Sequence, residues 1–109
     1  MRKKCEEILL KLGIAPDLKG FNYIGDAVEL INGESERIKI TALYEIIASK
    51  RNDTYHKVER AIRHCVSRIN PASQVFIECM GDVNIVKESN GNMPNGAFLY
   101  TLAYRLREE

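Results

Sequence analysis

Thr41-Ala42-Leu43-Tyr44-Glu45-Ile46-Ile47-Ala48-Ser49-Lys50-Arg51-Asn52-Asp53-Thr54-Tyr55-His56-Lys57-Val58-Glu59-Arg60-Ala61-Ile62-Arg63-His64-Cys65-Val66-Ser67-Arg68-Ile69-Asn70 is the stretch that decides the fold. Leu43, Ile46 and Ile47 recur at helical spacing and stop at the polar Arg51-Asn52-Asp53. Val58, Ala61, Ile62, Cys65 and Ile69 then mark one face of a second helix, which Asp53 or Thr54 can cap and Asn70-Pro71 ends. Two helices joined by so few polar residues predict a helix-turn-helix over about 41–69. Its second helix runs from about Thr54 to Ile69.

In such a unit the second helix enters the DNA major groove, so it must be apolar behind and basic in front. Removing the apolar face leaves Lys57, Glu59, Arg60, Arg63, His64, Ser67 and Arg68, with Lys57, Arg60 and His64 on one stripe and Arg63 beside it. An arginine fork matches guanine O6 and N7, and a carboxylate such as Glu59 accepts from the cytosine amino group. Thr54 and Tyr55 at the helix entry, with Lys50 and Arg51 at the end of the preceding helix, suit phosphate contacts that fix register. A solvated basic face carrying a Glu59–Arg63 surface ion pair fits the same pattern.

Around this unit the chain reads as helical throughout. Cys5, Ile8, Leu9 and Leu12 make a short opening helix that stops at Gly13. Ile24, Ala27, Val28 and Ile31 line a second, from near Gly20 to Asn32-Gly33. Glu34 to Lys39 is a polar connection with room for a loose helical turn. A short helix is expected from Pro71 to Met80, stopping at Gly81. Residues 82–96 read as an exposed loop, with a brief extended segment at Val83, Ile85 and Val86 as an option. A last helix over about Gly96 to Glu108 turns Phe98, Leu99, Leu102, Ala103 and Leu106 inward, with Asn95 as its cap. The reading is an all-α, compact six-helix single domain over 1–109.

Composition fits this. The chain has 109 residues, 45% of them hydrophobic, enough for one core. The formal charge is only +1, but 41–70 holds six Lys or Arg against three acids, so the basic excess is local. The N-terminus carries no sustained apolar stretch and no window suits a membrane span, so a soluble, cytoplasmic protein with no membrane partner is expected. Cys5, Cys65 and Cys79 form no C-x-x-C pair and are expected to be reduced and silent. His56, His64 and Cys65 do not make a zinc site, because Cys65 lies on the apolar face and the histidines point outward. With no phosphate-cradling glycine motif and only terminal acid pairs, Glu6-Glu7 and Glu108-Glu109, neither a cofactor nor an enzyme is expected.

The run Val58-Glu59-Arg60-Ala61-Ile62-Arg63-His64, preceded by Leu43-Tyr44 and Ile47-Ala48, resembles the DNA-binding effector domain of the stage-zero sporulation response regulator family of endospore-forming Firmicutes. Ile8-Leu9-Leu10, Leu12-Gly13-Ile14, Lys19-Gly20-Phe21, Tyr23 and Asp26-Ala27 are similar to that family's first two helices. Asn95, Phe98, Leu102 and Leu106 resemble its last. The resemblance implies a transcription regulator reading TGTCGAA-like promoter boxes, bound as head-to-tail pairs on tandem boxes and touching the sigma subunit of RNA polymerase. By position it implies base contacts at Glu59, Arg60 and Arg63, flanked by Lys57 and His64. The chain departs from the family at Glu45, where proline is usual, at Tyr55-His56, where small residues are usual, and at Asn70-Pro71, which interrupts a longer stretch. The family's phosphorylated receiver domain is not in these 109 residues, so the chain reads either as an excised domain or as a stand-alone relative. The alternative function is a helical protein-interaction module on the same scaffold, modulating a sporulation regulator without touching DNA.

Overall fold

A computed structural model describes residues 1–81 and 93–107. Six helices and no strand occur among them: α1 (Arg2–Lys11), α2 (Lys19–Gly33), α3 (Ile40–Arg51), α4 (Tyr55–Ser67), α5 (Gln74–Met80) and α6 (Asn95–Arg107). The all-helical class is the one the apolar periodicity predicts. The loop and extended segment read at residues 82–92 lie outside the described residues, as do Glu108 and Glu109.

The helix α2 is the axle of the fold. It packs most extensively on α4 and α6 and also touches α1 and α3. Phe21, Tyr23, Ile24, Ala27, Val28 and Ile31 are all buried, so apolar side chains leave water on more than one side of the helix. The core continues through Leu9, Leu43, Ile47, Val58, Ile62, Phe76, Met80, Phe98, Leu99 and Leu102.

The helix ends follow from local chemistry. After α1, Gly13 takes a positive φ of 89° that costs a residue without Cβ nothing, and the Ile14 N–H returns to the Leu9 carbonyl at 3.0 Å. α2 runs through Gly33 and stops where Glu34 turns extended. Asn32, read as a helix terminator, instead ties α2 to α6: its amide donates to the Ala103 carbonyl at 3.0 Å and its oxygen accepts from Arg107. Residues 34–39 bend at Ser35 and Glu36 without a helical turn.

α5 begins later than the Pro71 start suggests. The Asn70 side chain accepts from the Ala72 N–H at 3.0 Å, folding a turn, and Ser73 then caps the helix by accepting from the Phe76 N–H at 3.1 Å. Asn95 is likewise not a cap. It lies inside α6, and its amide reaches across to Tyr44 and Glu59.

Candidate nucleic-acid interface

The turn between α3 and α4 is built from three residues with separate tasks. Asn52 takes a left-handed conformation (φ 55°, ψ 49°), which asparagine tolerates better than most residues, and closes α3. Asp53 follows, its N–H bonded to the Ala48 carbonyl at 2.8 Å. One Asp53 oxygen accepts from the Thr54 N–H at 2.9 Å and the other from the Tyr23 hydroxyl on α2. Those two donors hold the Asp53 carboxyl below its ordinary range, whereas burial and then the same contact push the Tyr23 phenol up to about 12. Thr54 caps α4, its hydroxyl accepting from the Lys57 N–H at 3.3 Å.

α4 leaves the turn with two distinct faces. Val58, Ile62, Cys65 and Val66 are buried against the core, while His56, Lys57, Arg60, Arg63, His64, Ser67 and Arg68 are exposed. Gly20 at the start of α2 permits this close seating: a Cβ there would lie 2.4 Å from both the Ala61 carbonyl oxygen and the Cys65 sulfur. Glu59 is half-buried, and its Oε2 lies 3.3 Å from the Arg63 Nε in an i, i+4 ion pair. That oxygen is shielded from water and has no well-aligned hydrogen bond.

The Tyr55 ring meets Tyr44 edge-on at 5.4 Å and His56 at 5.4 Å, so the helix entry is fixed by aromatic contacts as well as by the cap. The Ser67 hydroxyl donates to the His64 carbonyl at 2.8 Å.

The cations at the end of α3 do not stand alone. Arg51 donates to Asp26 from Nε at 2.7 Å and from Nη2 at 2.8 Å, and the Lys50 ammonium is 3.8 Å from the same carboxylate. Arg2 on α1 adds a third cation at 3.0 Å, its guanidinium lying against the bare surface of Gly25. Asp26 is only 1% exposed. Burial by itself raises its carboxyl, but the hydrogen bonds of Arg51 and Arg2, with the charges of Arg51 and Lys50, prevail and hold it below the ordinary carboxylate range. Periodicity did not single this residue out. The available signal was a lone carboxylate at Asp26 between the apolar Ile24 and Ala27-Val28 of α2.

Because the folded protein lowers the Asp26 value, the carboxylate contributes stability at pH above the unfolded range. That contribution is lost as pH falls through the folded value. Asp26→Asn, which keeps shape but loses charge, is expected to cost about 2 kcal/mol near neutral pH. In denaturant titrations the gap to wild type should narrow at about pH 3. A gap of the same size at both pH values would show that the charge of Asp26 contributes nothing.

Among the described residues no group of three or more His, Cys, Asp or Glu is arranged to hold a metal ion, and no helix is long and apolar enough to cross a membrane. Cys5 and Cys65 are buried and Cys79 is half-buried, and burial pushes the Cys5 thiol up to about 11. The family model described as sporulation initiation factor Spo0A C terminal matches residues 5–106.

Proposed function

From the chain's membership of the Spo0A C-terminal family, a DNA-binding regulatory family of sporulation initiation, we propose that α3 and α4 read TGTCGAA-like promoter boxes through the major groove. The observation that carries this is the exposure of Arg60 and Arg63 side by side on the face of α4 opposite Val58, Ile62 and Cys65. Arginine forks at this spacing suit guanine edges, and Glu59 suits a neighbouring cytosine amino group. Since the Glu59 Oε2 is shielded against Arg63, the base contact falls to Oε1.

Lys50, Lys57 and Arg68, all exposed, supply phosphate contacts, with Thr54, Tyr55 and His64 flanking them. Arg51 belongs to the same set chiefly through Nη1, because its Nε hydrogen and one Nη2 hydrogen are taken by Asp26. The reading extends to the single domain over 1–109, to head-to-tail pairing on tandem boxes and to contact with the sigma subunit of RNA polymerase.

The test is a fluorescence titration of a TGTCGAA duplex and a scrambled duplex across a range of salt. The cognate duplex is expected to bind more tightly. Neutralising about three phosphates should give a log–log salt slope near −3 on both, since counterion release is independent of sequence. Equal, salt-dependent affinity for the two duplexes would remove base reading and leave phosphate binding alone, whereas a titration indifferent to salt would favour the protein-interaction alternative.

A further inference from the structure

We propose that Asn95 and Tyr44 are positioning residues for base reading, together bracketing the first turn of the recognition helix α4 so that Arg60 and Arg63 meet the groove at a fixed angle.

Three elements meet at this point. Tyr44 on α3 is 4% exposed, and its hydroxyl accepts from the Asn95 amide of α6 at 3.0 Å. The same amide donates to the Glu59 carbonyl of α4 at 3.4 Å. On its other side the Tyr44 ring supports the edge of Tyr55, the first residue of α4. A path of contacts therefore leaves α4 at Tyr55, crosses α3 and α6, and returns to α4 at Glu59, the residue before Arg60.

The apolar back of α4 resists separation from the core but is less able to resist rotation about the helix axis or sliding along it, because dispersion contacts are non-directional. Hydrogen bonds are directional, and the one amide of Asn95 ties both helices of the helix-turn-helix to α6. A site that must match base edges needs side chains held by supporting contacts of this kind, since a small misplacement costs recognition. Phosphate contacts by the long, flexible lysines tolerate such a misplacement. Loss of the bracket should therefore reduce discrimination more than general affinity for DNA.

The inference rests on the base-reading function proposed above, and the experiment separates the two. Wild type, Asn95→Ala, Tyr44→Phe, the double variant and Arg60→Ala are titrated with cognate and scrambled duplexes, and each is checked by thermal melting. Asn95→Ala is expected to lower the cognate-to-scrambled affinity ratio roughly threefold to tenfold, through the cognate affinity alone. Tyr44→Phe, which keeps the buried ring and its contact with Tyr55 but removes the acceptor of the Asn95 amide, should also lower the ratio, by at least about twofold and by no more than Asn95→Ala does. The double variant should match Asn95→Ala, because both act through one link. If Asn95→Ala does not fold, Tyr44→Phe carries the test.

An unchanged ratio in the folded variants, or equal losses on both duplexes, while Arg60→Ala lowers the ratio, would overturn the bracket and leave base reading standing. An unchanged ratio in Arg60→Ala as well would remove base reading and the bracket with it.

Discussion

Gly20→Ala is expected to destabilise the fold by about 3 kcal/mol, the upper end of what overpacking commonly costs. The added methyl would lie 2.4 Å from the Ala61 carbonyl oxygen and 2.4 Å from the Cys65 sulfur. The sulfur has some freedom to turn aside. The carbonyl belongs to the α4 backbone, so relief requires that helix to move as a unit away from α2. Alanine is the better helix former by up to about 1 kcal/mol, and less near a helix start, so propensity does not offset the clash.

A loss of this size in a domain of about 100 residues lowers Tm by roughly 10–20 °C. Gly33→Ala is the internal control, since a Cβ there meets nothing within 4 Å, and it should melt close to wild type. Cys65→Ala added to Gly20→Ala should recover only part of the loss, because the carbonyl remains. Melting of Gly20→Ala at the wild-type temperature would show that α4 is not seated on α2 as closely as described.

Arg60→Ala and Arg63→Ala are expected to cost ~1–3 kcal/mol each on the TGTCGAA duplex, with clearly smaller losses on a scrambled one. Both side chains project from the face of α4 opposite its buried residues, so removing them leaves the core untouched and thermal stability nearly unchanged. The two differ in one respect. Arg63 is 62% exposed and paired with Glu59, so Arg63→Ala also frees a carboxylate at the base-reading surface. Its effect should therefore depend on Glu59: in a double-mutant cycle with Glu59→Gln the two losses should not add, whereas Arg60→Ala and Glu59→Gln should be closer to additive. Lys50→Ala, at a proposed phosphate contact, should weaken both duplexes about equally. An unchanged cognate-to-scrambled ratio in folded Arg60→Ala and Arg63→Ala would remove the claim that α4 reads bases.

The separation between α4 seating and α4 chemistry explains how far the sequence could be read. The helix-turn-helix was legible because its cues are local. Apolar side chains recur with the helical period, Thr54 caps the helix from three residues away, and Asn52 closes α3 beside its own carbonyls. Gly13 was legible for the same reason. The start of α5 was not, because Asn70 and Ser73 delay it through side-chain bonds that compete with Pro71 as the first helical residue.

By itself the sequence determined the all-helical class, the approximate helix order, the two-faced character of α4 and the seven-residue run on which the resemblance rests. Only the tertiary structure decided where three polar side chains point. Asp26 lies in an apolar run yet is held by Arg2 and Arg51, which stand 24 and 25 residues away. Arg51, which looked free for phosphate, is largely committed to it. Asn95, which looked like a cap, reaches 51 residues back to Tyr44 and 36 to Glu59. Helical periodicity is set within a turn or two of the chain, so one dimension is enough to see it. A buried polar group needs a partner wherever packing brings one, and the packing of α2 against α1 and α3, and of α6 against α4, exists only in three.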